Sequence, residues 1–227
     1  MVILDGVSRI YKHGQNIVRA LDRVSLRIED GEFLSIAGPS GSGKTTMLNL
    51  IGCLDDLDEG ELYIDAHPVG AMSSKEKTAF RRNNLGFIFQ SYNLIPVLSA
   101  FENVSFALEL LRIDHTAIEE QTYSILAEVG LSGLEGRRPR ELSAGQQQRV
   151  AIARALVKEP KLVLADEPTA NLDSKTGEEI IALMKAMNER RKTTFIFSTH
   201  DAMVMEHAHR LVMLHDGSVV SDEHRRR

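Results

Sequence analysis

The sequence predicts an α/β fold on a mainly parallel sheet, and three observations carry that reading. The first is Gly38-Pro39-Ser40-Gly41-Ser42-Gly43-Lys44-Thr45-Thr46, a G-x-x-x-x-G-K-T pattern between an apolar run at 32–37 and a helix-like run from Met47. The second is the recurrence of short apolar runs, Leu162-Val163-Leu164-Ala165 and Thr194-Phe195-Ile196-Phe197-Ser198, with a helical stretch between them. Strands alternating with helices imply a parallel sheet covered on both faces. The third is a change of character over 100–130, where apolar residues recur at helical spacing (Phe101, Val104, Leu108, Leu111). It predicts a helical insertion over about 92–142 between two sheet strands.

Taken in order, residues 2–11 and 18–28 alternate apolar and polar side chains and predict antiparallel strands, joined by a turn at 12–16. A strand at 32–37 feeds the glycine loop, a helix over 44–54 follows, and 61–65 returns as a strand. Ser73 with Glu76 three residues later predicts a capped helix running to about Asn83. Residues 85–89 then form a buried strand that ends at Gln90. After the insertion, helices are predicted over 145–158, over 174–191 with Ser174 as its cap, and over 201–207. Strands at 210–214 and 218–221 close the chain through an Asp216-Gly217 turn. Arg225-Arg226-Arg227 reads as a solvated tail.

The glycine loop dictates its own chemistry. Gly38, Gly41 and Gly43 let the backbone curl so that successive N–H groups face phosphate oxygens. The following helix adds its free N–H groups and the positive end of its dipole. Lys44 brings an ammonium to the terminal phosphates, and the Thr45 hydroxyl suits Mg²⁺. Asp166 and Glu167 end an apolar strand, which is where ligands bind in open α/β sheets. Asp166 would hold Mg²⁺ and Glu167 would polarise an attacking water. Leu142-Ser143-Ala144-Gly145-Gln146 leads into a helix and offers an anion a second set of N–H groups. Alone, Gln90 reads as a polar strand terminator, His200 as the neighbour of a helix cap, and Tyr11 as a strand-end aromatic.

Composition bounds the rest. The 227 residues, 43% of them apolar, allow one large domain with an inserted lobe. A net charge of −5 argues against nucleic acid as the main partner. The one cysteine, Cys53, falls in the predicted helix after the loop; no disulfide within the chain is possible, which fits a reducing compartment. No basic stretch followed by a long apolar core opens the sequence, so no secretory signal is expected, and no apolar window is long enough to span a membrane. His207, His209 and His215 lack convincing metal-ligand spacing.

Six motifs in order now give a resemblance over essentially the whole chain: the phosphate loop at 38–46, Gln90, the run 142–146, the acidic strand at 162–167, Asn171-Leu172-Asp173 and His200. The chain resembles the nucleotide-binding subunit of an ATP-binding cassette (ABC) transporter. The resemblance implies a P-loop NTPase cassette: a mainly parallel central sheet, an N-terminal antiparallel β subdomain and an inserted α-helical subdomain. The core would span about 1–91 and 143–227, and the helical subdomain about 92–142. It implies ATP hydrolysis with Mg²⁺, and a head-to-tail dimer in which the signature of one copy closes over ATP held by the other. In that scheme Tyr11 stacks on adenine, and Pro39, Ser40, Ser42 and Thr46 complete the phosphate loop. Ser143, Gly145 and Gln146 form the signature contact in trans. Gln90 meets Mg²⁺ and the water and relays nucleotide state to a membrane partner. Asp173 links the two sites, and His200 holds the γ-phosphate. Two positions depart from the family's usual glycine, Ala144 and Ala170.

The runs 47–55, 85–96 and 165–173 are similar to the lipoprotein-releasing (LolD) and macrolide-exporter (MacB) group. This implies an ATPase at the cytoplasmic face of the cell membrane, held there by a separate membrane subunit of the MacB/LolC-E type. An FtsE-like ATPase that signals through a membrane partner without transport is the alternative.

Overall fold

The computed structural model describes residues 1–14 and 16–225. Two sheets and two cores organise it. Strands β1 (Val2–His13), β2 (Asn16–Ile28), β4 (Glu59–Ile64) and β5 (His67–Pro68) form an antiparallel sheet in the order β2-β1-β4-β5. The second sheet contains β3 (Phe33–Ala37), β6 (Leu85–Ile88), β7 (Leu162–Asp166), β8 (Thr194–Thr199), β9 (Arg210–His215) and β10 (Ser218–His224). Its order is β10-β9-β3-β8-β7-β6, parallel throughout except for the terminal β9–β10 hairpin.

Period-two alternation in the parallel strands builds both cores at once. Phe33, Val163, Ala165, Phe195 and Phe197 point to one face, where they pack against helices α3 (Ala100–Glu109), α4 (His115–Glu128), α5 (Ala144–Leu156) and α6 (Ser174–Arg191). Phe33 and Phe197 meet there with ring centroids 4.6 Å apart. Leu34, Ile36, Leu162, Leu164 and Ile196 point to the other face, against α1 (Lys44–Ile51), Phe80 of α2 (Ser74–Asn84) and the antiparallel sheet. A short helix, α7 (Ala202–His207), precedes β9.

The strand order positions the site. β3, β8, β7 and β6 are adjacent and parallel, so their carboxyl ends emerge side by side. The residues at or just beyond those ends are Gly38, His200, Asp166 with Glu167, and Gln90.

Several expectations shift. The first two strands extend to 2–13 and 16–28; of the turn predicted at 12–16, Gln15 lies outside the described residues, as do Arg226 and Arg227 of the tail. Helix α1 ends at Ile51 instead of residue 54, because Gly52 caps it and Cys53 turns left-handed at φ 55°. Cys53 therefore lies past the helix, buried. The cap of α6 is Asp173, not Ser174: the extended Asp173 carboxylate accepts from the Thr176 N–H at 3.0 Å and from its hydroxyl at 2.6 Å. A carboxylate outcompetes a hydroxyl here because it also meets the positive end of the helix dipole. Ser73 caps α2 with Glu76 closing the box, as the pattern predicts.

Candidate functional site

The row of strand ends opens onto a cleft of about 790 Å³, lined by residues 39–46, Gln90, Asp166, Glu167 and His200, with Val18, Arg19, Ala20 and Asp216 at its edge. Its floor is the glycine loop. Gly38 and Gly43 have φ of 152° and 104°, and a β-carbon on Gly43 would lie 2.4 Å from the Ala20 carbonyl oxygen. The loop thus packs under the β2 backbone as tightly as hydrogen allows. Lys44 is buried, and its ammonium donates to the carbonyls of Gly38 at 2.8 Å and Pro39 at 2.9 Å. The charge is held across the loop's own mouth, where a phosphate would sit.

The acidic side of the cleft is built around Glu167. Its backbone is left-handed at φ 46°, and its N–H donates to the Ser198 carbonyl at 2.9 Å, tying the end of β7 to β8. One carboxylate oxygen meets His200 Nδ1 at 2.6 Å, and the other accepts from the Thr199 hydroxyl at 3.3 Å. Both contacts come from the end of β8, so β8 aims the carboxylate into the cleft. A left-handed non-glycine residue at such a place is strain held by its surroundings.

Asp166 behaves differently. Its Oδ1 is buried without a hydrogen-bond partner. Burial, together with the neighbouring Glu167 charge, pushes the carboxyl above its ordinary range, against the pull of Ser198, Thr45 and Lys44. The Ser42 hydroxyl is likewise buried and unpartnered. An unpartnered buried Asp166 oxygen in the same cleft as the Thr45 hydroxyl is a hard-oxygen donor set, which fits Mg²⁺.

The structure brings Gly38 to Thr46, Gln90, Asp166, Glu167 and His200 together, and sets the remaining predicted residues elsewhere. Tyr11 lies on the β1–β2 hairpin, where its hydroxyl donates to Asp55 at 2.6 Å and the Arg9 guanidinium covers its ring at 4.8 Å. Ser143, Gly145 and Gln146 open α5, with Ser143 and Gln146 exchanging hydrogen bonds in a capping box. Asp173 caps α6. None of these five lines the cleft. Ala144 is the exposed first residue of α5 and is not left-handed, so its methyl group strains nothing locally.

Comparison with known proteins agrees with this geometry. The family model described as ABC transporter matches residues 21–170. A relative named as an uncharacterized ABC transporter ATP-binding protein, MJ0796 of Methanocaldococcus jannaschii, is 48% identical over 98% of the chain and 97% of its own length. The chain belongs to the ABC transporter family. The macrolide export ATP-binding/permease protein MacB of Escherichia coli is 43% identical over 98% of the cassette, which spans 34% of that larger protein. The dimeric post-hydrolysis structure of the MJ0796 cassette, bound to ADP and Pi, superposes with a TM-score of 0.91 at 45% identity, covering all of both chains. The cassette is therefore an ATP-binding ATPase subunit of a transporter.

Sequence reasoning missed some of what surrounds the cleft. Gln148 of α5 is fully buried and donates to the Pro168 carbonyl at 2.7 Å, and Asn171 donates to the Gln90 carbonyl at 2.8 Å. Both partners are backbone oxygens, which leave no mark in a sequence. A buried glutamine amid the apolar face of a helix was the one available signal for Gln148.

Proposed function

We propose that two copies of the cassette close head to tail over two Mg·ATP, and that closure drives a separate membrane subunit of the MacB/LolC-E type. One observation carries the reading. The cleft holds Lys44, Asp166, Glu167 and His200 in one chain, while the signature residues Ser143, Gly145 and Gln146 line no part of it. A second copy would supply them in trans, with Asp173 at the join and Tyr11 against the adenine.

Within the cleft, the loop N–H groups and Lys44 bind the phosphates. Thr45, Asp166 and Gln90 would hold Mg²⁺, which supplies charge neutralisation at the β- and γ-phosphates when bound. Glu167 accepts a proton from water as the water oxygen bonds to the γ-phosphorus and the bridge to the β-phosphate breaks. His200, seated against Glu167, orients the base and reaches the γ-phosphate. Preorganised charge does most of this work.

Residues 92–142 form the helical lobe in this reading, and 91–112 border the docking groove. That groove, about 220 Å³, is lined by Phe87, Phe89, Asn93, Ala107, Arg154 and Lys158 among others. Exposed Val97, Phe106 and Leu110 lie on the same segment. A membrane subunit seated there would hold the cassette at the cytoplasmic face. The relatives matched are transporter cassettes, which favours transport over FtsE-like signalling.

A cysteine pair tests the dimer. Ser40→Cys mixed with Ser143→Cys should form an ATP-dependent intermolecular disulfide, with buried Cys53 silent. Crosslinking that is equal with and without ATP would reject the trans assignment.

A further inference from the structure

Gln90 leaves β6 at the mouth of the cleft, and the turn after it sets where its side chain can reach. Tyr92 and Asn93 are both left-handed, at φ 60° and 49°, a conformation that a β-carbon disfavours. The Tyr92 N–H donates to the Phe89 carbonyl at 3.0 Å and the Asn93 N–H to the Ser91 carbonyl at 2.6 Å, so the turn is tightly closed. The outward carbonyls of this turn are held from outside. Arg154 Nη2 donates to the Tyr92 oxygen at 2.7 Å and Nη1 to the Asn93 oxygen at 2.6 Å.

Within the chain, Arg154 is held by these two carbonyls. Among the described residues no carboxylate pairs with it, and burial pushes its pKa down. A guanidinium drawn out of water toward two neutral carbonyls is a poor stabiliser compared with an apolar side chain of similar length. What it supplies is a rigid two-pronged grip. Lys158, in the turn just past the end of α5, repeats the arrangement at the other end of β6: its ammonium donates to the Arg81 and Arg82 carbonyls at 3.0 and 2.7 Å, just ahead of the strand. Helix α5 and the turn that ends it therefore grip the chain both entering and leaving the strand that delivers Gln90. From the opposite side Asn171 holds the Gln90 carbonyl itself.

We propose that Arg154 is a positioning residue for Gln90, a strut that ties the glutamine's loop to the helix beginning at Ser143. This rests on the assignment of Gln90 to the metal and water. A shift of the Ser143 end of α5, when it meets the nucleotide of a second copy, is carried along one rigid helix to Arg154 and so to Gln90. The glutamine reaches its working position only when the signature is engaged.

The test is a double-mutant cycle in the full cassette with Mg·ATP: wild type, Arg154→Met, Gln90→Ala and the pair, with Arg154→Lys as the conservative variant. Arg154→Met should lower kcat roughly tenfold or more, as small displacements of a positioned group do. KM for ATP and thermal midpoint should stay near wild type, because the phosphate loop is untouched. The pair should be no slower than Gln90→Ala alone, and Arg154→Lys, able to hold one carbonyl, should recover part of the loss. Losses that multiply in the pair, or a lowered midpoint with intact kcat, would overturn the role and leave Arg154 as packing. Full turnover by Gln90→Ala would instead overturn the Gln90 assignment, and this inference with it. If Arg154→Met does not fold, the Arg154→Lys and Gln90→Ala cycle decides by the same additivity.

Discussion

A β-carbon added at Gly43 would meet the Ala20 carbonyl oxygen at 2.4 Å on a backbone at φ 104°, whereas at Gly41, φ 80°, nothing lies within 4 Å. The two glycines of one motif are thus required for different reasons. Gly41→Ala should cost about 1 kcal/mol of left-handed strain, while Gly43→Ala should cost at least about 3 kcal/mol once the clash is added. Urea denaturation of the two variants checks the order, and equal losses would contradict it. Cys53 gives the pH dependence. Burial raises its thiol from 9.0 to about 11. The folded state favours the neutral thiol, so this contribution is fully present below pH 9 and lost as pH rises toward 11. It amounts to roughly 3 kcal/mol at most, two pKa units at about 1.4 kcal/mol each. Wild type should lose stability against Cys53→Ala across that window, and a constant difference between the two would reject the shift. At this scale the phosphate loop, Asp166 and Glu167 stood out from the residues themselves, a glycine-rich loop and two carboxylates at strand ends, whereas His200 alone read as the neighbour of a helix cap and entered only through the order of the motifs. Arg154 did not stand out. It reads as one more charge on a helix, and its acceptors are the backbone carbonyls of residues 92 and 93, distant in the chain.

At the scale of the element, α5 and α6 show how a signature motif is also a packing motif. Gly145 is buried, and a β-carbon there would lie 2.6 Å from the Thr176 methyl group of α6. The glycine therefore sets the spacing of the two helix starts as well as any approach to phosphate. Gly145→Ala should destabilise the isolated cassette by about 1–3 kcal/mol through overpacking. Adding Thr176→Ser, which removes that methyl group but keeps the hydroxyl for Asp173, should restore most of the loss. Additive losses in thermal denaturation would show that the contact does not matter. The neighbouring cap explains a misreading. Asp173 and Ser174 are both good caps by residue type, and the extended backbone at Asp173 together with its carboxylate at the positive end of the helix dipole decides between them. The strands, by contrast, were legible from alternation and from their apolar runs, with ends displaced by a few residues where β1 and β2 extend their pairing toward the turn.

At the scale of the whole molecule, the fold class followed from the order of strands and helices, while the pairing of β4 with β1 did not. That pairing joins residues 59–64 to the N-terminal strand, and alternation within a strand says nothing about its neighbour. Nor can one chain display a site that two copies complete. The cleft presents Lys44, Glu167 and His200 on one side, and the α5 start presents Ser143, Gly145 and Gln146 elsewhere. The central claim is that these are two halves of one ATP site. Sedimentation velocity of Glu167→Gln, with and without Mg·ATP, tests it most directly. The variant should sediment as a monomer without nucleotide and as a stable dimer holding two ATP with it, at almost no turnover. A variant that stays monomeric at saturating Mg·ATP while binding one nucleotide per chain would contradict it.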